Sequence, residues 1–465
     1  MGTDLGQTLG AAEATGAGPR VSSGLSGERH SQAAAEEACG MARAGLSRGG
    51  VAARADVVLV FVSKHHANEL EAVERVISRE LAPRHVVGTW AEGVVGGALE
   101  VESSPAVSLL ACDLPGVQLR VFDQGSIERV ASSDATAMAD ALAQAAGLDV
   151  RHRCSVLMAD PFSTPVDKLM AGLTIGAARA RAGVGAGLVG HAGLATAGAG
   201  PVIVGGLCSG LTRPGEARLL LDGRVQAGGF VGLSMSGAIE AQAVVSQGCK
   251  PLGPVLVVTS ASGPVVKTLG GRPALGVLRG LIEELDEVRR RELGRGLMLG
   301  LAVSEFRDRF GRDDFLLRGI LSVNESEGSI MVADHVRVGM TVRFHVRDAQ
   351  AASDDLQMLM AAQALHAPPL GGLLFTCNGR GTRMFSGPHH DAGCVQRAFG
   401  EPVPGEHAAK SGSAMGGAGG AGYGGSGLVP LAGMFAAGEI GPVGGEVRLH
   451  GQTASAVFFR RATAL

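Results

Sequence analysis

Residues Leu373 to Asp391 read LLFTCNGRGTRMFSGPHHD. The opening run, Leu373-Leu374-Phe375, has the length of a buried strand and is bounded by turn residues. It runs into Cys377-Asn378-Gly379-Arg380-Gly381, where an arginine stands between two glycines. Glycine lets other groups approach the backbone closely, and a guanidinium suits a planar carboxylate or phosphate. A second turn, Phe385 to Pro388, delivers His389, His390 and Asp391 together. Further on, Gly438-Glu439-Ile440-Gly441-Pro442 sets one carboxylate between glycines at the end of another apolar run. Thiol, guanidinium, imidazole and carboxylate groups are thus carried on loops, where binding groups are commonly displayed.

Outward from that stretch, strands and helices alternate. Val57 to Val62 is a continuous apolar, β-branched run, read as a strand buried on both faces. Leu70, Val73, Ile77 and Leu81 follow at helical spacing, and Pro83 stops that helix. Val86 to Thr89 is a second strand. This βαβ-like opening predicts an α/β protein, two mixed-sheet domains with helices packed on the sheets. Asp222-Gly223 predicts a tight hairpin between Leu219–Leu221 and Phe230–Met235. Gly176 to Gly200 reads as a loop. The pattern restarts near Leu297, which places the expected division as 55–290 and 297–465. Residues 405–427 are mostly Gly, Ala and Ser and read as an insertion that does not pack. Residues 1–54, rich in Ala, Gly, Ser and Arg, read as a disordered tail or a transit segment.

The 465 residues carry a net charge of −3 and only 3% aromatics. With no basic patch and no stacking platform, nucleic acid is not an expected partner. No run of 18 apolar residues and no apolar N-terminal stretch occurs, so neither a membrane span nor a secretory signal is expected. Seven scattered cysteines without a CxxC pair point to a reduced, intracellular, cytoplasmic protein; the alternative is a chloroplast or other organelle if residues 1–54 are a transit segment. The glycine turns at 93–97 and 205–210 fit neither GxGxxG with its acidic partner nor a phosphate loop, and Gly232 to Gly237 has the wrong spacing for GxSxG. No cofactor, no metal and no catalytic residue is expected. Cys377, near a strand end without a base nearby in sequence, reads as a small buried thiol. Adjacent His389 and His390 point to opposite sides of an extended backbone and do not suit one ion. Asp348 reads as a helix N-terminal carboxylate.

The motifs FHVRDA at 344–349, FTCNGRG at 375–381, FSGPHHD at 385–391, GEIGP at 438–442 and LHGQTAS at 449–455 resemble the FIST C-terminal domain. VVGTWAEGVVGG at 86–97, PVIVGGLCSG at 201–210, LLLDGRV at 219–225, VSQGCKPLGP at 245–254 and VVTSASG at 257–263 resemble the FIST N-terminal domain. The resemblance implies a sensory module of signal transduction that binds a small ligand such as an amino acid. It also implies, as the alternative, a substrate-recognition or adaptor role in ubiquitin-dependent degradation, since FIST regions occur in F-box proteins. Residues 1–54 lack the apolar three-helix pattern of an F-box. The expected ligand site is a cleft between the two domains. Arg380 would hold an anionic group and Glu439 a cationic or hydroxyl group, with Cys377, Asn378, Gly379, Gly381, His389, Asp391 and Gly438 around them.

Overall fold

A computed structural model describes residues 18–47, 54–127, 135–182, 202–285, 287, 290, 296–307, 309–311, 314–400 and 427–462. The fold is α/β, and its plan is one unit built three times. The first unit runs β1 (Arg20–Ser26), α1 (Ser31–Leu46), β2 (Val57–Ser63), α2 (Leu70–Leu81), β3 (His85–Ala91), a hairpin of β4 (Val94–Gly96) and β5 (Leu99–Val101), then β6 (Val107–Asp113). The second runs β7 (Val117–Asp123), α3 (Ala135–Ala146), β8 (His152–Ala159), α4 (Val166–Ala182), β9 (Ile203–Leu207), a hairpin of β10 (Leu219–Leu221) and β11 (Arg224–Gln226), then β12 (Phe230–Gly237).

The third unit begins with β13 (Ile239–Gln247) and is then interrupted. The interruption comprises β14 (Cys249–Ser262), β15 (Val265–Leu269), β16 (Arg272–Pro273), α5 (Ala274–Glu283), β17 (Leu297–Ala302), β18 (Phe315–Asn324), β19 (Ser329–Val332) and β20 (Thr341–Arg347). The unit resumes with α6 (Ala349–Gln363), β21 (Gly371–Cys377), α7 (His390–Ala398), β22 (Leu431–Ala436), a hairpin of β23 (Glu439–Val443) and β24 (Glu446–His450), and β25 (Thr453–Arg461).

The three six-stranded sheets have the orders β1-β6-β2-β3-β10-β11, β7-β12-β8-β9-β23-β24 and β13-β25-β21-β22-β4-β5. In each, the two central strands are parallel and every other neighbour is antiparallel. Each unit also gives its hairpin to a neighbour's sheet. The hairpin of the first joins the third, that of the third joins the second, and that of the second joins the first. The exchange closes in a ring.

The same ring is written in the sequence. VGTWAEG at 87–93, VGGLCSG at 204–210 and AGMFAAG at 432–438 occupy equivalent places. The first glycine of each (Gly88, Gly205, Gly433) sits opposite Val60, Leu157 and Leu374 in the parallel pair. A Cβ there would lie 2.3, 1.9 and 1.8 Å from those residues' carbonyl oxygens, so only glycine permits the approach. The ends of the three copies meet. Glu92 N donates to Ser209 Oγ at 2.9 Å, Ser209 Oγ donates to Phe435 O at 2.5 Å, and Ala437 N donates to Leu207 O at 3.0 Å.

Alternation explains the packing. Leu59 and Phe61 of β2, Val156 and Met158 of β8, and Leu373 and Phe375 of β21 point into one core shared by all three sheets. There the Phe61 and Phe375 rings meet edge to face at 5.9 Å. Val58, Val60 and Val62 point the other way, onto α1 and α2. Leu157 lies under α3 and α4, and Leu374 under α6 and α7. Three sheets therefore enclose a central core, and two helices cover each from outside. The interruption is a barrel of its own. β14 pairs with β20 along its first half and with β15 along its second, which closes the order β14-β20-β17-β18-β19-β15 on itself around Val258, Val266, Leu299 and Phe344.

Several expectations are corrected by this plan. Residues 20–46 are not a tail or a transit segment: β1 pairs with β6 over seven residues, and α1 packs on the sheet. The expected boundary between 55–290 and 297–465 falls inside the barrel, and two of the three sheets combine strands from both sides of it, while the first sheet lies wholly before it. Asp222-Gly223 does make a tight turn, but β11 is its second strand; Phe230 begins a strand of another sheet. Part of the loop expected at 176–200 is helical, since α4 runs to Ala182. The rest of that loop, the insertion expected at 405–427 as far as residue 426, and residues 1–17 lie outside the described residues.

Candidate functional site

β21 and β22 are parallel neighbours that end together, Cys377 beside Ala436. Ligands of α/β sheets bind beyond the carboxyl ends of such strands. Here the two loops that follow carry residues 378–383 and 437–439. The start of β25 (Thr453) and the end of β13 (Gln247-Gly248) close the same end.

Arg380 is fully buried. Its fork is closed on Asp391, also fully buried, with Nε to Oδ2 and Nη2 to Oδ1 both 2.7 Å. Asp391 accepts a further bond from Thr376 Oγ1 at 2.6 Å, and His390 Nδ1 lies 2.9 Å from Oδ1. Burial pushes the Asp391 carboxyl up, but Arg380 and His390 outweigh it and hold it well below the usual range. Burial opposes charge on His390 as well, and Asp391 and Cys394 overcome that, raising it to about 9. The His390 ring stacks on Phe385 at 3.5 Å, and the Arg380 guanidinium lies 5.3 Å from the Phe385 centroid. Two of the three Arg380 nitrogens are thus committed to Asp391. The third, Nη1, has no hydrogen-bond partner among the described residues. Gly248 stands beside it, where a Cβ would come within 3.1 Å.

Glu439 is buried as completely. Its Oε2 accepts from Thr453 N at 3.1 Å and Thr453 Oγ1 at 2.7 Å, while Oε1 has no partner among the described residues. Burial pushes this carboxyl up to about 8, against the pull of Thr453, Arg380 and a hydrogen bond from the Cys377 thiol. Cys377 lies by both groups. Burial, and then Glu439, lift its thiol to about 12, against the opposing pull of Gly379 N, Gln452 N and Arg380. Gly379 N donates to Cys377 Sγ at 3.4 Å. A thiol so raised is a poor nucleophile.

The remaining expected residues frame the site. Asn378 N bonds Ala436 O at 2.8 Å, and Asn378 O accepts from Arg383 at 2.7 Å. Gly379 O accepts from Arg347 Nη2. Gly381 has φ +56° and lies against the Glu102 carboxylate. Gly438 O accepts from Leu207 N, which ties the loop to β9. His389 turns away: at φ +65° it caps α7, and its Nδ1 accepts from Glu100 N at 2.9 Å. Burial lowers its pKa. Asp348 does cap α6, accepting from Ala351 N at 2.6 Å.

Sequence reasoning missed the acidic residues of the first unit. Glu100 Oε1 accepts from Ala392 N at 2.8 Å, Glu102 accepts from Thr382 N and Oγ1 at 2.9 Å each, and Glu92 pairs with Arg383. All three lie on or beside the hairpin that the first unit donates. Burial and Asp391 push Glu100 up to about 8. Among the described residues, no group of three or more His, Cys, Asp or Glu side chains comes together as a metal site. No helix among them is long and apolar enough to cross a membrane.

Arg380, Asp391, Glu439 and the acidic residues of the first unit all lie within matches to known domains. Residues 56–272 match the FIST N domain, and residues 274–442 match the FIST C domain. The chain belongs to the FIST family. The junction between the two FIST matches falls at the start of α5, inside the barrel. The chain is 34% identical over 447 residues to a Mycobacterium tuberculosis protein, "Uncharacterized protein Rv0628c", covering 95% of this chain and 99% of that one. It is 34% identical over 443 residues to "Uncharacterized protein Mb0898c" of Mycobacterium bovis, covering 95% and 98%. FIST domains are associated with sensory signal transduction and small-ligand binding.

Proposed function

We propose that this FIST protein binds a small carboxylate-bearing ligand, an amino acid or a related small acid, at the carboxyl ends of β21 and β22, and that it signals occupancy rather than catalysing a reaction. The observation that carries the reading is a pair of unmet polar atoms. Arg380 Nη1 and Glu439 Oε1 belong to fully buried side chains just beyond the ends of the neighbouring strands β21 and β22, and have no partner among the described residues. Buried polar groups are rarely left unpaired, and a ligand that met both would relieve that cost. The signal has a route. The 378–391 loop is held by Glu92, Glu100 and Glu102 of the first unit, so a ligand that shifts the loop also loads the donated hairpin.

A thermal-shift screen of the full chain against amino acids and small carboxylic acids tests this, because a ligand of the native state raises the melting temperature. One chemical class is expected to give a reproducible rise. Glu439→Ala is expected to weaken that ligand ten- to a hundredfold, as loss of a bond to a charged group costs about 1.5–3 kcal/mol. An undiminished response in folded Glu439→Ala would remove the assignment.

A second reading, an adaptor that docks a protein partner, is favoured by the barrel. Leu321 and Val323 of β18 expose 62 and 46% of their surface, and Val323 lines a groove of about 530 Å³ with Val265, Met331 and the polar residues Asn324, Glu325 and Glu327. Apolar patches of this kind mark protein contacts. Proteins that co-purify with the tagged chain are expected to be lost in Leu321→Asp/Val323→Asp; their retention would rule the barrel out.

A further inference from the structure

We infer that the occupant of the Arg380–Glu439 site is a small acid held through its carboxylate by two donors, Arg380 Nη1–H and a protonated Glu439 carboxyl at Oε1, and not a zwitterion whose ammonium pairs with an ionised Glu439. The inference rests on the ligand reading above and narrows its chemical class.

The geometry around Glu439 supports the neutral carboxyl. Both hydrogen bonds that reach the carboxyl from Thr453 arrive on Oε2, which makes Oε2 the acceptor oxygen and leaves Oε1 to carry a proton. The titratable and charged neighbours are few. β21 and its loop present Cys377 and Arg380, β24 presents His450 as the cross-strand partner, β25 presents Thr453, and β9 presents only Gly205 and Gly206. Arg380 is the one cation of this set, and Asp391 already takes two of its nitrogens. His450 is buried, bonded through Nε2 to Gly441 O at 3.1 Å, and lowered by burial to about 4, so it adds no charge. An ionised Glu439 would have no cation of its own in a desolvated place, whereas a neutral one needs none.

Charge over the wider cluster points the same way. Arg380 and His390 are cations, and Asp391 is the anion between them. Glu100, which faces the same pair, is pushed up to about 8, as is Glu439. Burial thus favours the neutral form of both glutamates beside the Arg380 and His390 cations. An anion complements those cations, and a second ammonium would add to them. Two donors converging on one carboxylate also match its two oxygens.

Matched pairs of probes decide the matter: propanoate and alanine, succinate and aspartate, glutarate and glutamate, 4-methylpentanoate and leucine. Each is titrated against the full chain by calorimetry from pH 6 to pH 10, with Glu439→Gln in parallel. The expected result is that the acid of a binding pair binds at least tenfold more tightly than its amino counterpart. Its affinity is expected to fall about tenfold per pH unit above pH 8, as the proton on Oε1 is lost. Glu439→Gln, whose amide cannot lose a proton in this range, is expected to lose that pH dependence. A preference for the amino member that rises with pH and vanishes in Glu439→Gln overturns the inference and leaves the site standing. No binding by any probe overturns both.

Discussion

Arg380→Ala is expected to lower the unfolding free energy by about 3–5 kcal/mol, and Asp391→Ala by a similar amount, the range seen when one partner of a buried ion pair is removed. Removing the Arg380 side chain leaves the Asp391 carboxylate in the interior with Thr376 and His390 as its remaining donors among the described residues. It also leaves a cavity below Phe385. Urea unfolding of the full chain measures the loss. Arg380→Met/Asp391→Leu removes both charges and fills the space, and is expected to recover most of the stability. Single variants within about 1 kcal/mol of the parent would show that the pair does not hold the 377–391 loop. The result also bears on ligand experiments. Because the arginine is structural first, a charge reversal there cannot separate binding from folding, which is why Glu439 is the better probe.

A chain that starts at residue 55 is expected not to fold. It would lose β1, which pairs with β6 from Arg20 opposite Asp113 to Ser26 opposite Val107, and α1, which buries Ala34, Ala35, Ala38, Cys39, Ala42 and Leu46. Arg20 also bonds Asp113 at 2.6 Å and Leu46 O at 2.8 Å, pinning strand to helix. Re-exposing that apolar surface amounts to something on the order of 10 kcal/mol, against a net stability of about 5–15 kcal/mol for a whole domain. It also leaves β6 as a long open edge. Circular dichroism and limited proteolysis of chains starting at residues 18 and 55 make the comparison. A 55-start chain that melts within a few degrees of the longer one would mean that β1 and α1 are dispensable.

Why that segment reads as a tail is itself physical. α1 packs so closely on β1 that a Cβ at Gly24 would lie 2.0 Å from Ala38 O, and one at Gly45 would lie 2.2 Å from Ser22 Oγ. Only Gly, Ala and Ser fit such a contact. The same small residues compose unstructured tails, so composition could not tell the two apart. The opposite holds at Val57 to Val62. Both faces of β2 are buried under bulky side chains, and the unbroken apolar run announced a central strand. Turn chemistry was equally legible. Asp222-Gly223 and the glycines near Arg380 act within a few residues, and local sterics decide them.

The site divides along the same line. The sequence marked Cys377, Arg380, Asp391 and Glu439 as a set, because each stands in a glycine- or proline-bounded loop after an apolar run. It did not say which of the carboxylates would pair with Arg380. Only the folded chain, by setting Asp391 on the first turn of α7 beneath the loop, closed the fork on one and left the other unpaired. Glu92, Glu100 and Glu102 carried no signal at all, since about 280–290 residues separate them from Thr382, Arg383 and Ala392. What the sequence determined by itself was local: strand, helix, hairpin turn and the identity of the polar loops. Which sheet each hairpin enters, and that three repeats close a ring around one core, was decided by tertiary structure. A hairpin's own turn and pairing do not specify the edge it docks on; the burial of the three sheets' inner faces against one another does.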